Sequence, residues 1–251
     1  EYRWRGQNLM PRFFKENFKD EPYIDSSDAA HITKSLRIKT GEEIIVCDGN
    51  KTEYVCSVTN AEPQRVDLEI KQVRKTKSEP NIEVTLCPCL MKGDKLEDVI
   101  KHSVELGVTG IIPLISSNCV SRPDAKTLKR KAERWQKIAA EAAGQSGRGI
   151  IPKVFNAESF ADFCSKIKDF DLVLFFYEAG GKSLKKIMSE KNTAEKIAII
   201  TGPEGGFLPK ETELCENSGA QTVSLGKRIL RAETAPLAAV TGVMLLTDNM
   251  A

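Results

Sequence analysis

Two glycine-rich stretches in the C-terminal third hold the residue types that grip a ligand through the backbone. In Ala198-Ile-Ile-Thr-Gly-Pro-Glu-Gly-Gly-Phe207 an apolar strand runs straight into a loop with three glycines and one carboxylate, Glu204. Glycine has no Cβ, so such a loop approaches a ligand closely and takes positive φ. Loops at the carboxyl ends of strands are where open α/β sheets bind ligands. The plain alternative is a simple turn between strand and helix. The second stretch is Ser224-Leu-Gly-Lys-Arg-Ile-Leu-Arg-Ala-Glu-Thr-Ala-Pro236. It places Gly226 and three cations, Lys227, Arg228 and Arg231, ahead of a helix with Thr234 as N-cap and Pro236 in its first turn. A helix N-terminus prefers anions. These cations therefore face an anionic partner, pair with a carboxylate such as Glu233, or belong to a salt-bridged structural loop.

The elements that must position these loops follow from periodicity. From Ile82 onward, short apolar runs alternate with helical patterns. Strands are expected at Ile82–Cys87, Gly110–Ile115, Asp171–Tyr177 and Lys196–Thr201. Helices are expected at Asp94–Leu106, Lys126–Ala143, Ala157–Ile167 and Thr234–Leu246. In the long helix Leu128, Ala132, Trp135, Ala139 and Ala142 fall at three- and four-residue steps and make one apolar face. Such alternation predicts a mostly parallel sheet covered on both sides. Upstream the texture is β. Glu43–Asp48 and Glu53–Thr59 read as a hairpin around Asp48-Gly-Asn-Lys, and Val66–Val73 as a further strand. The polar run Lys71–Asn81 is the best linker candidate. The expected division is a β domain at 10–75, a linker at 76–81 and an α/β domain at 82–251. Met10-Pro-Arg-Phe-Phe reads as a natural start, with residues 1–9 an appended segment.

The chain has 251 residues, 41% hydrophobic and 29% charged, which is ordinary globular composition and excludes a disordered tail or a collagen-like fibre. The apolar runs, such as Leu172–Tyr177, are too short to span a bilayer, and no segment reads as a signal peptide. Seven scattered cysteines, an odd count, fit reduced cytosolic thiols better than a disulfide framework. The net charge is only +2, but residues 121–153 carry nine basic and three acidic residues. Such a stripe suits phosphate; a solvated helix face is the plainer reading. His31 and His102 are too far apart for a metal pair, and Cys87-Pro-Cys89 has no second pair to make a zinc site. Gly180-Gly-Lys-Ser183 has Phe176 where a P-loop needs its first glycine, and no Gly-x-Gly-x-x-Gly follows a strand. No metal is implied.

The strings TGPEGGF and LGKRILRAETA together resemble the 16S ribosomal RNA uracil-N3 methyltransferase family, of the SPOUT class. Pro11-Arg-Phe-Phe14, His31-Ile-Thr-Lys-Ser-Leu-Arg37, Leu96–Gly107, Ile112-Pro-Leu114 and Glu141-Ala-Ala-Gly-Gln-Ser-Gly-Arg148 extend the resemblance across nearly the whole chain from Met10. It implies a small PUA-like β-barrel, then an α/β methyltransferase domain whose C-terminal chain forms a trefoil knot, an arrangement that periodicity does not reveal. It implies S-adenosylmethionine as cofactor, held by Thr201, Gly202, Pro203, Glu204, Gly205 and Gly206, by Leu225, Gly226, Ile229 and Leu230, and by Phe176. Glu204 would bond the ligand or fix its loop. Arg231, with Glu233 and Thr234, would lie nearest the methyl group and the target base. Arg231 or Arg148 would stabilise charge developing on the uracil, and Glu233 would accept its proton or orient Arg231. RNA contacts are expected from Arg12, Lys34, Arg37, Lys92, Arg122 and Arg148. Phe13 and Phe14 would stack on bases or, more in keeping with their type, sit in the core.

Family members of this kind pair as homodimers. Here the Asp94–Leu106 and Thr234–Leu246 helices are the candidate interface, and the partner is the small ribosomal subunit. The competing readings are a SPOUT enzyme with another RNA target and a non-catalytic RNA-binding or assembly factor of the same fold.

Overall fold

The computed structural model describes residues 10–250; residues 1–9, expected to be an appended segment, lie outside the described residues. The chain divides into two compact units, one running to Glu79 and joined by Ala143–Ile151, the other Pro80–Ala142 with Pro152 onward. The division falls inside the stretch expected as linker. The excursion of 143–151 into the first unit is a feature that the linear domain assignment does not contain.

The first unit is built from β1 (Arg12–Phe14), β2 (Tyr23–Asp25), α1 (Ser26–Ala30, continued by a π-helical turn at His31–Ser35), β3 (Glu43–Cys47), β4 (Thr52–Ala61) and β5 (Arg65–Lys75). The sheet order is β1-β3-β4-β5-β2, antiparallel except for β1 against β3. The hairpin turns where expected. Asp48 Oδ1 accepts from Asn50 N at 2.7 Å and Thr52 N at 3.2 Å, while Gly49 and Lys51 take positive φ. Alternation sorts the strands into two faces. Ile44, Val46, Cys56, Val58, Val66 and Leu68 join Phe13, Phe18 and Ile32 in the main core, and Ile45, Cys47 and Val55 pack with Met10 and Phe14. Phe13 and Phe14 thus serve as core residues. β5 runs to Lys75, so Lys71–Lys75 is strand, not linker.

The second unit holds β6 (Glu83–Pro88), α2 (Lys95–Glu105), β7 (Gly110–Ile111), β8 (Leu114–Ile115), α3 (Ala125–Gln145), β9 (Lys153–Val154), β10 (Glu158–Ser159), α4 (Phe160–Ser165), β11 (Leu172–Phe176), β12 (Lys182–Ser183), α5 (Leu184–Glu190), β13 (Lys196–Thr201), α6 (Pro209–Asn217), β14 (Gln221–Ser224) and α7 (Thr234–Leu246). Seven strands form an all-parallel sheet in the order β12-β14-β11-β13-β6-β7-β9, as the strand–helix alternation predicts. Every residue of β11 is buried, and all but the first of β13, as expected of strands covered on both faces.

Pro113 separates β7 from β8, so the single strand expected at Gly110–Ile115 is broken. The helix expected at Ala157–Ile167 is shorter: Glu158–Ser159 pairs with β8, and Ser159 then caps α4 by accepting from Asp162 N at 3.0 Å. Trp135, Ala139 and Ala142 of α3 are buried on the expected face.

Candidate active site

Three loops leave the carboxyl ends of neighbouring strands and enclose one cavity of about 600 Å³. They follow β11 (Phe176–Glu178), β13 (Thr201–Gly206) and β14 (Ser224–Glu233). All eleven residues expected to hold the cofactor line it, together with Arg231 and Glu233.

The loop after β13 is fixed from several sides. A Cβ on Gly202 would stand 2.9 Å from the Phe207 ring, so this position needs glycine. Phe207 is itself buried against Phe175, with ring centroids 4.6 Å apart. Gly206 takes φ +65°, and a Cβ there would collide with the Glu178 carboxylate. Asn118 Nδ2 donates to the carbonyls of Gly205 and Gly206 at 3.0 and 3.3 Å. Buried Glu211 accepts from Leu208 N and Ser117 N at 2.9 and 2.8 Å, pinning the start of α6. Thr201 Oγ1 is buried with no hydrogen-bond partner in the protein, on a residue that lines the cavity. An orphaned hydroxyl in such a place is a group that a ligand satisfies.

The loop after β14 starts from a tight turn. The Ser224 hydroxyl accepts from Gly226 N at 3.2 Å and contacts its carbonyl at 3.3 Å, with Gly226 at φ +105°. The loop ends where the Arg231 carbonyl accepts from Thr234 N and Ala235 N at 2.9 and 3.0 Å. This makes Glu233 the N-cap of α7 and Thr234 its first helical residue, one position earlier than the sequence suggests. Ile229 is 85% exposed and the Arg231 side chain 84%.

Seven charged side chains line this cavity, Lys95, Glu178, Glu204, Lys227, Arg228, Arg231 and Glu233, and four of them pair with one another. Lys95 Nζ lies 3.2 Å from Glu233 Oε2 and 3.7 Å from Glu204 Oε1, and Arg231 Nη1 lies 4.0 Å from Glu233 Oε1. Glu204 Oε1 also accepts from Lys92 N at 3.1 Å. Glu204 therefore fixes its own loop to the start of α2, one of the two roles open to it. The Glu233 carboxyl is held below the usual carboxylate range by its own backbone amide first, then by Lys95 and Arg231. Sequence reading missed Lys95 and Glu178. The signal for Lys95 was a cation at the first position of a helix, where the dipole disfavours it.

Two expectations need correction. Arg148, expected as a catalytic and RNA-binding cation, lies in the first unit with its side chain 3% exposed, and pairs with Glu79 at 2.6 Å. Arg12, expected on RNA, is 9% exposed and donates to Glu53 at 2.6 Å and to Cys47 Sγ at 2.9 Å. In both cases a buried carboxylate has claimed the guanidinium. Lys34, Arg37 and Lys92 are exposed. Arg122 is exposed too, although its guanidinium donates to the carbonyls of Ser117 and Cys119. Among the described residues no cluster of three His, Cys, Asp or Glu side chains could hold a metal ion, and no helix is long and apolar enough to cross a membrane.

A cavity with glycine-backbone walls, a waiting hydroxyl and a charged rim can hold a small polar ligand beside a larger anionic one. The RNA methyltransferase domain family matches residues 77–244 and the RNA methyltransferase PUA domain matches residues 24–71. The chain is 33% identical to the ribosomal RNA small subunit methyltransferase E of Bacillus subtilis (strain 168), over 95% of this chain and 98% of that protein. It is 32% identical to the protein of the same name from Mesomycoplasma hyopneumoniae (strain 232), over 92% and 98%. Among solved structures, the Neisseria gonorrhoeae ribosomal RNA small subunit methyltransferase E bound to S-adenosyl methionine superposes with a TM-score of 0.86 at 32% identity, over 94% of this chain and 98% of that one.

Proposed function

The chain belongs to the RNA methyltransferase family, and on that premise we propose that it transfers the methyl group of S-adenosylmethionine to N3 of a uridine in small-subunit ribosomal RNA. The observation that carries the reading is the cavity itself, where three strand-end loops gather every residue expected to hold the cofactor beside Arg231 and Glu233. The residues fit that cofactor. Thr201 Oγ1 offers an unpaired hydrogen-bonding group, Gly202, Gly205 and Gly226 leave backbone accessible, and Phe176, Leu225 and Leu230 give apolar walls for the adenine.

When bound, the cofactor supplies an electrophilic methyl on a sulfonium, so the protein's task is mainly placement. N3 carries a weakly acidic proton that must leave before or during attack, and negative charge then spreads over the ring and its flanking oxygens. Arg231, exposed at the rim, is the cation that meets that charge. Glu233, ionised and paired with Lys95, orients Arg231 and is a weak proton acceptor. N3 lies on the pairing edge, so the uridine enters unpaired or flipped out. Lys34, Arg37, Lys92 and Arg122 are the RNA-facing cations of this reading, gripping phosphates rather than bases.

Threading of a trefoil knot fits the place of β14, the last strand, between β11 and β12 rather than at an edge. Pairing of two copies through α2 and α7 fits the exposed Leu245 and Leu246 at the end of α7. Work on ribosomes in the reducing cytoplasm fits seven buried thiols in no disulfide.

The test is one incubation with labelled S-adenosylmethionine and small subunits from a strain lacking the modification, followed by nucleoside mass spectrometry. Labelled 3-methyluridine is the expected product. A different methylated nucleoside overturns the N3 assignment. No label together with no cofactor binding overturns the catalytic reading.

A further inference from the structure

The segment Lys227–Arg231 holds more positive charge than the cofactor can use. S-adenosylmethionine carries one carboxylate against an ammonium and a sulfonium, so it is itself a net cation. Lys227 and Arg228 are nevertheless exposed at its cavity, and neither forms an ion pair among the described residues. They also precede the N-terminus of α7, the positive end of a helix dipole. Three like charges at an unfavourable helix end, with only the long Arg231–Glu233 contact to offset them, suit a polyanion rather than the fold. Between Arg228 and Arg231 stands Ile229, the most exposed large apolar side chain among the described residues. The turn beneath it is open: a Cβ on Gly226 would meet nothing within 4 Å.

We propose that Lys227–Ile229 is the RNA grip of the active site: Lys227 and Arg228 take the phosphates flanking the target nucleotide, and Ile229 packs against the base presented to Arg231. This rests on the methyltransferase reading and adds the element that delivers the nucleotide. Phosphate contacts fix register and orientation without reading sequence, which is what a segment beside the reacting atoms must supply. A base flipped out of its stack is held against aromatic or apolar side chains, and that contact covers the exposed Ile229.

The test measures binding of unmodified small-subunit RNA across a salt series, with S-adenosylmethionine affinity measured in parallel. The Lys227→Gln/Arg228→Gln double variant should lower the salt slope by about 2 and weaken RNA binding about tenfold at physiological salt. Its cofactor Kd should stay within about twofold of wild type. Ile229→Ala should weaken RNA binding about threefold with the slope unchanged, an apolar loss rather than a charge loss. All three side chains are exposed, so folding is not at stake. A double variant with unchanged slope and affinity, while wild type binds and methylates, overturns the grip alone. Loss of cofactor affinity with an unchanged slope reassigns the cations to the cofactor and also overturns it. A wild-type protein that neither binds RNA nor methylates it overturns the underlying reading, and the grip with it.

Discussion

Arg148 Nη2 donates to Glu79 Oε2 at 2.6 Å, and the two side chains are 3% and 4% exposed. Glu79 Oε1 also accepts from the backbone amides of Gly149 and Ile150 at 2.9 and 3.2 Å. One carboxylate thus ties down the excursion of 143–151. Removing one partner of a buried pair strands the other, so Arg148→Ala should destabilise the first unit by about 3–5 kcal/mol. Urea unfolding should show this as an earlier transition, with S-adenosylmethionine affinity retained. Arg148→Ala/Glu79→Leu should not recover fully, because two backbone amides then lose their acceptor.

Lys95 joins two carboxylates from different loops, Glu204 after β13 and Glu233 at the cap of α7. Lys95→Met should lower kcat by about 10- to 100-fold, since small misplacements of reacting groups cost that much. KM for the cofactor should change less, and Lys95→Arg should restore most of the turnover. Equal loss in both parameters, or no rescue by arginine, would assign Lys95 to binding instead.

Arg231→Ala removes the cation proposed to meet the developing charge. Loss of a comparable oxyanion donor costs about 10²–10³ in rate. Turnover should fall by that order while cofactor binding persists, since Arg231 is exposed at the rim rather than buried in the wall. Normal turnover would remove it from the mechanism.

How much of this was legible follows from locality. The two glycine loops were readable because glycine spacing, a preceding apolar strand and a following helix lie within about a dozen residues of one another. Buried β11 and β13 were readable as apolar runs. β14 was not: Gln221-Thr-Val-Ser is short with three polar residues in four, and only its pairing with β11 and β12 makes it a strand. Arg148 and Arg12 look like RNA contacts in sequence because nothing local shows that Glu79 and Glu53, 69 and 41 residues away, will bury them. Glu178 shows itself only through Gly206, whose missing Cβ leaves room for the carboxylate.

Glu53 gives the first unit an acid-sensitive joint. Burial alone would raise its carboxyl, but hydrogen bonds from Arg12 at 2.6 Å and Arg74 at 2.5 Å prevail and hold it below the usual carboxylate range. A depressed folded value means that the unfolded chain binds the proton more readily at low pH. The stabilisation is therefore complete above about pH 5 and is lost as pH falls through the folded value. Protonation also leaves the largely buried Arg12 facing a neutral acid. The urea midpoint of the first unit should be flat from neutral pH to about pH 5 and then fall. Glu53→Gln should start lower at neutral pH and fall less steeply below it. A variant that loses stability on acidification as steeply as wild type would place the acid-sensitive group elsewhere.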